Sequence, residues 1–278
     1  MMASKVALPV GELVPRFKEE QVFIIEAFLV HCLRESGRKG VVLGLSGGVD
    51  SALVAKLCAD ALGPQRVLAV AMPDGRGGRD LKDAKKFAKF LGIDLRIIGI
   101  SPIVTSVEKR LLAFQADQVA RGNLRARARM IVLYFIANTE GRIVMGTGNK
   151  SELLTGYFTL HGDGAADFLP IGDLYKTQVR EMARYLALLP EIVEKVPTAG
   201  LWPGQTDEGE LGISYDELDR ILLGIELQLD PEAIAQKGGV PLDHVTYVQK
   251  LVASSIHKRK MPLIPKVGAR TIGLDWRE

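Results

Sequence analysis

Eight consecutive residues carry the strongest chemical signal in this 278-residue chain: Gly44, Leu45, Ser46, Gly47, Gly48, Val49, Asp50 and Ser51. Paired glycines let backbone N–H groups approach an anion with no Cβ in the way. Ser46 and Ser51 add hydroxyl donors, and a helix starting here offers the positive end of its dipole. The pattern is not the Walker loop, which needs Gly-Lys-Ser/Thr after its spacer, nor the Rossmann glycine fingerprint. Asp50 sets a carboxylate beside the bound phosphates, where it repels them unless a divalent cation lies between, so magnesium is implied. The plainer reading is a glycine-rich turn with a capping aspartate.

A second segment, from Gly146 and Thr147 to Asp167, spaces three acids, Glu152, Asp163 and Asp167, among glycines and aromatics. Glu152 can complete a magnesium site with Asp50, because a hard cation takes carboxylate, water and phosphate oxygens together.

Both segments follow predicted strands. Short apolar runs at 40–45, 66–72, 94–100 and 142–145 are separated by helical patterns at 50–62, 80–91, 103–119 and 123–138. Such alternation indicates βαβ units and an open, mainly parallel sheet with helices on both faces. Ligands then bind at the carboxyl ends of the strands, where both acidic segments lie. A helix over 17–36 precedes the sheet and is apolar on more than one face, which suits burial or a subunit interface. The C-terminal part reads as helical, over 176–188, 190–196, 215–223, 231–236 and 241–260. Polar, glycine-rich stretches at 73–79 and 197–212 read as mobile loops or plain surface connections.

Composition narrows the class. With 47% hydrophobic residues the chain can bury a sizeable core. A formal net charge of +3 agrees with a small anionic substrate and is too weak to argue for nucleic acid, which is not expected as a partner. Cys32 and Cys58 sit inside apolar helical patterns and read as buried thiols, with neither disulfide nor zinc implied. Lys5 is not followed by the apolar core of a secretion signal. The most apolar stretch, residues 22–33, is broken by Glu26 and His31 and too short for a bilayer. A cytoplasmic protein without a membrane partner is expected, formed as one domain over 1–278.

One arginine yields to geometry. At about 100° per residue, Arg121, Arg125 and Arg129 form one basic helical stripe, which reads as solvated. Arg127 lies on the opposite side among Met130, Ile131 and Tyr134. An arginine facing an apolar side needs an anion, either a protein carboxylate or a ligand.

Ser46-Gly47-Gly48-Val49-Asp50-Ser51 resembles the pyrophosphate loop of the N-type ATP pyrophosphatases, which cleave ATP between the α and β phosphates. The Gly146–Asp167 segment, residues 123–130 and residues 207–218 resemble the matching stretches of the ammonia-dependent NAD synthetases within that superfamily. The likeness spans about residues 17–260. It implies an adenine nucleotide alpha hydrolase-like fold, a homodimer, and amidation of deamido-NAD by ammonia through an acyl-adenylate, with release of AMP and pyrophosphate. ATP is then co-substrate at residues 44–51, Thr147, Lys176 and Thr198. Deamido-NAD meets Arg127, Asp167, His257 and Lys258, and magnesium meets Asp50 and Glu152.

Lys176 suits a mobile cation that neutralises departing pyrophosphate, or a solvated lysine early in a helix. Asp163 is the candidate to bind ammonium and accept its proton, with Ser46 in the catalytic loop. His257 and Lys258 read alone as a solvated basic helix end. Many family members carry Lys-Tyr where this chain has Leu160-His161, so a cation expected to meet substrate phosphate is missing. Glutamine-using relatives append an amidase domain, for which this chain has no room. The rivals are a tRNA-modifying ATP pyrophosphatase, which needs stronger positive charge, and a non-catalytic nucleotide-binding module, which has no use for Asp50 with Glu152.

Overall fold

In the computed structural model, described here for residues 13–75, 77–202, 204–272 and 275, four parallel strands form one sheet. They are β1 (Gly40–Gly44), β2 (Val67–Ala71), β3 (Asp94–Ile97) and β4 (Arg142–Met145), in the spatial order β3-β2-β1-β4. Val41 pairs with Val67 on one side and Ile143 on the other, which sets the register of β2, β1 and β4. The order reverses at β1, so the carboxyl ends of β1 and β4 open a crevice between them.

Alternation along each strand decides the two cores. Val41, Leu43, Val67, Ala69, Ile143 and Met145 point to one face. Against them pack α1 (Glu20–Ser36), α2 (Val49–Leu62), α3 (Gly78–Leu91), α7 (Lys176–Tyr185) and α8 (Pro190–Val193). Val42, Leu68, Val70 and Val144 point to the other face, covered by α4 (Ser101–Arg110) and α5 (Gln118–Glu140). A third core joins α10 (Tyr215–Glu226), α11 (Pro231–Gly238) and α12 (Leu242–Ser254) around Tyr215, Leu218 and Leu222. The expected α/β class is observed, with the helical C-terminal part.

Several expectations are corrected. The third strand stops at Ile97, because Ser101-Pro102 already opens α4. The predicted break between helices near 119–123 falls earlier, at 111–117, where Leu112 and Phe114 are exposed. Two short helices were not foreseen: α6 (Lys150–Thr155), and α9 (Asp207–Leu211) within the stretch read as a loop. Helix α1 buries Val22, Ile25 and Leu29 but exposes Phe23 and Ile24, so it serves its own core on one side only. Cys32 and Cys58 are free and buried, as expected. Lys5, and Arg76 and Pro203 within the two glycine-rich stretches, lie outside the described residues. Among the described residues no helix is long and apolar enough to cross a membrane.

Phe87 on α3 is fully buried in the core on the β2–β3 side of the sheet. Phe87→Ala is expected to lower unfolding free energy by about 3–5 kcal/mol, read as a shift in the urea midpoint.

Candidate functional site

The glycine-rich loop after β1 is built from the chain's own hydroxyls. Ser51 Oγ accepts the Ser46 N–H at 3.2 Å and donates to Gly48 O at 3.0 Å. Ser46 Oγ accepts the Gly48 N–H at 3.3 Å and lies 3.1 Å from Ser51 Oγ. Gly47 holds φ at +81°, and a Cβ there would meet Asp80 O at 2.6 Å, so glycine is required both by backbone and by space. Helix α2 starts after Gly48 with no side-chain cap, which leaves its first amides for a ligand. Lys195 ties the loop to α3: its Nζ donates to Gly47 O at 3.1 Å and pairs with Asp80 and Asp83 at 2.7 and 2.8 Å.

The loop opens into a cavity of about 910 Å³ over the carboxyl ends of β1, β2 and β4. Its floor holds a charged cluster. Asp50, in the first turn of α2, accepts Lys176 Nζ at 2.5 Å and Asn149 Nδ2 at 2.9 Å. Glu152 stands 3.6 Å from the same ammonium. It is fixed by a reciprocal cap in which Asn149 Oδ1 accepts the Glu152 N–H and Glu152 accepts the Asn149 N–H. Lys176 is only 2% exposed and lies over the Tyr215 ring, so it is a buried, paired cation and not a solvated lysine early in a helix.

Burial, then repulsion from Asp50, pushes the Glu152 carboxyl well above the usual carboxylate range, with Lys176 opposing. Burial works to lower the Lys176 pKa, but the charges of Asp50 and Glu152 outweigh it and raise the net value.

The cluster has further members that motif reading missed. Asp207, at the start of α9, is buried and accepts hydrogen bonds from Tyr215 and Tyr157 hydroxyls at 3.2 and 3.3 Å. Tyr157 also donates to Glu210 at 2.5 Å. Burial raises the Asp207 carboxyl, Lys176 lowers it, and the nearby Asp50 charge raises it. Residues 207–218 carried the family likeness, but these tyrosine contacts join segments about fifty positions apart in the chain and leave no local signature.

Helix α5 overturns the reading of its arginines. Arg127 is exposed and donates to Leu160 O at 3.2 Å, without the apolar burial expected. Of the stripe read as solvated, Arg121 is exposed as expected, but Arg125 and Arg129 face inward. Arg125 pairs with Asp74 at 2.6 Å, and Arg129 is largely buried in the cavity wall, its Nε donating to Met72 O at 3.2 Å. The cause is packing: the small residues Gly122, Ala126 and Ala137 bury this side, while the apolar Ile131 and Phe135 stay exposed at 55% and 72%. Burial works to raise the Asp74 carboxyl, but hydrogen bonds from Ser101 and Arg125 hold it below the usual range.

Among the other expected residues, Gly44, Leu45, Ser46, Gly48, Val49, Asp50, Ser51, Thr147, Glu152, Asp163, Lys176, Thr198 and Lys258 all line the cavity. Asp163 opens onto it and accepts the Thr159 N–H at 3.0 Å. The protein crowded around its carboxyl raises its pKa, against that hydrogen bond and Lys258. Lys258 Nζ donates to Gly156 O and Phe158 O, both at 2.7 Å. Gly47 supports the loop from behind. Arg127, Asp167 and His257 lie outside the lining. Asp167 instead ties off β4, accepting the Val144 N–H at 2.8 Å and the Tyr134 hydroxyl at 3.2 Å. His257 is exposed at its own helical end, and His161 is exposed with φ at +60°.

The donor set fits magnesium. Asp50 and Glu152 converge on one point that a cationic ammonium already fills, and the phosphate loop lies alongside. Among the described residues no group of three or more His, Cys, Asp or Glu could hold a metal ion. Two carboxylates completed by substrate phosphates and water are the form magnesium prefers.

Residues 22–262 match the NAD synthase family. The chain is 49% identical over 240 residues to an NH(3)-dependent NAD(+) synthetase of Pyrococcus furiosus, covering 86% of this chain and 93% of that one. It resembles the solved structure of an NMN synthetase from Francisella tularensis, with TM-score 0.80, 35% identity and coverage of 90% and 100%. An NH3-dependent NAD synthetase from Campylobacter jejuni gives TM-score 0.73 and 33% identity, with coverage of 89% and 98%.

The cluster sets a stability signature. Glu152 has a folded-state pKa above its ordinary 4.5, so its contribution to stability is full below that value and is lost as pH rises through the raised one. Lys176→Met leaves both carboxylates uncompensated and is expected to cost about 3–5 kcal/mol near neutral pH. The deficit, measured by urea unfolding, is expected to be larger at about pH 8 than at about pH 5, where Glu152 holds its proton.

Proposed function

We propose, from the premise that this chain belongs to the NAD synthase family, that it amidates deamido-NAD to NAD with ATP and ammonia. The observation that carries this reading is the Asp50–Lys176–Glu152 cluster set against uncapped loop amides at the floor of one large cavity. That arrangement suits a triphosphate whose inner phosphorus is attacked by an acid.

In the first step a carboxylate oxygen of the nicotinate ring attacks the α-phosphorus, and the bond to the bridging oxygen breaks to release pyrophosphate. The work is positioning and charge neutralisation. Loop amides 46–51 hold the departing phosphates, and Lys176 shifts its ammonium from Asp50 toward them. Asp50 and Glu152 would hold magnesium, which would supply Lewis-acid charge when bound. In the second step ammonium gives a proton to Asp163, and the free amine attacks the acyl carbon. A second proton passes from the nitrogen to solvent water as the acyl–oxygen bond breaks and AMP departs. The raised pKa of Asp163 brings it closer to that task.

Several further parts belong to this reading. The chain acts as a single synthetase domain that takes ammonia directly. A homodimer is supported by the exposed apolar side of α5, with Ile131 and Phe135, and by Leu112 and Phe114 just before it. Arg127, which donates to Leu160 O, and the exposed Asp167 and His257 lie outside the cavity lining and are assigned to the distal part of the dinucleotide. A cytoplasmic setting is supported by the two unpaired thiols.

Purified protein with deamido-NAD, ATP, magnesium and ammonium is expected to yield NAD, AMP and pyrophosphate in equal amounts. Formation of ADP contradicts the scheme. Asp50→Asn is expected to lower kcat by about 10²–10³-fold, and chelation of magnesium to abolish turnover. A variant that keeps full activity removes the metal site.

A further inference from the structure

Helix α7 carries Lys176 as its first residue, and its start is capped in an unusual way. Tyr175, at the cap position, gives no side-chain hydrogen bond to the helix, and its hydroxyl goes to Glu226. The orphan amides of the first turn are met from other helices instead. Ser151 Oγ, on α6, accepts the Lys176 N–H at 3.0 Å. Asp219, on α10 and fully buried, accepts the Thr177 N–H and the Thr177 hydroxyl, both at 2.8 Å, through Oδ2. Its Oδ1 accepts the Ser151 hydroxyl at 2.5 Å.

One carboxylate thus joins the starts of α6 and α7, and each start carries a member of the charged cluster in its first turn. Glu152 follows Ser151, and Lys176 precedes Thr177. Tyr215, four residues before Asp219 and one turn away on the same helix, lies under the Lys176 ammonium at 5.2 Å. Helix α10 therefore supports Lys176 at both ends, its backbone through Asp219 and Ser151 and its ammonium through the Tyr215 ring. A buried carboxylate at this place is costly unless its donors are fixed, and here three donors are supplied.

We propose that Asp219 is a positioning residue of the reaction: by capping α7 from α10 and gripping Ser151, it sets the Lys176 ammonium between Asp50 and Glu152. The kinetic consequence rests on the amidation proposed above, whereas the placement of the amine does not. Asp219→Asn keeps the shape but presents an amide donor where Ser151 or Thr177 needs an acceptor.

Two measurements test the assignment. Competitive amine labelling followed by mass spectrometry is expected to find Lys176 protected in the parent protein and labelled at least about tenfold faster in Asp219→Asn. Lys195 and Lys56 serve as internal controls and are expected to keep their rates. The second measurement is a kinetic cycle. Asp219→Asn alone is expected to lower kcat by about 10–100-fold, but to change kcat less than about twofold in a Lys176→Met background. Equal losses in both backgrounds, or labelling of all three lysines together, mean a merely structural role and overturn the proposal. Unchanged labelling of Lys176 overturns it as well. If Asp219→Asn does not fold, Ser151→Ala, which cuts the link to the Lys176 N–H, is put through the same two measurements with the same criteria. A parent protein that fails to amidate deamido-NAD defeats the proposed function and leaves the labelling result to decide the role of Asp219.

Discussion

The structure depends on one constraint: an ammonium held almost out of water between two carboxylates needs every one of its supports. Lys176 has Asp50 at hydrogen-bond distance, Glu152 slightly farther and an aromatic ring beneath it. In such a place a charge is tolerable only while its partners stay put. The two acids repel each other, and the burden falls on Glu152, whose proton affinity rises. The lysine balances the two acids.

The fold delivers these partners from distant parts of the chain. Asp50 rides on the helix after β1, Glu152 on the short helix after β4, and Lys176 on a helix that packs back against the first. Because β1 and β4 are neighbours, the two acids meet at the crevice where strand order reverses. The third core, built on α10, closes the site from the side and connects its stability to that of the C-terminal helices. Arg125 and Arg129 brace the opposite wall by holding the segment that follows β2.

Much of this was legible in the residues, and the limits are physical. The phosphate loop could be read because its chemistry is local: glycines, hydroxyls and a helix start lie within eight positions. The strands were read to within a few residues, since buried parallel strands are short apolar runs. Helices α6 and α9 escaped because five or six residues leave too little periodicity, and their caps, Asn149 and Thr206, become visible only as contacts. The arginine faces of α5 were inverted because the rule that apolar means inside fails on a helix that exposes Ile131 and Phe135. Asp207 and Asp219 gain their roles from partners tens of positions away, which no spacing rule announces.

The most direct test of this account is a crystal structure of the protein soaked with magnesium and a non-hydrolysable ATP analogue. The account requires outer phosphates on the amides of residues 46–51, a metal shared by Asp50 and Glu152, and Lys176 Nζ turned from Asp50 toward phosphate oxygen. A triphosphate lodged elsewhere in the cavity, or one bound at the loop with the Lys176–Asp50 pair unchanged and no metal between the acids, would contradict it.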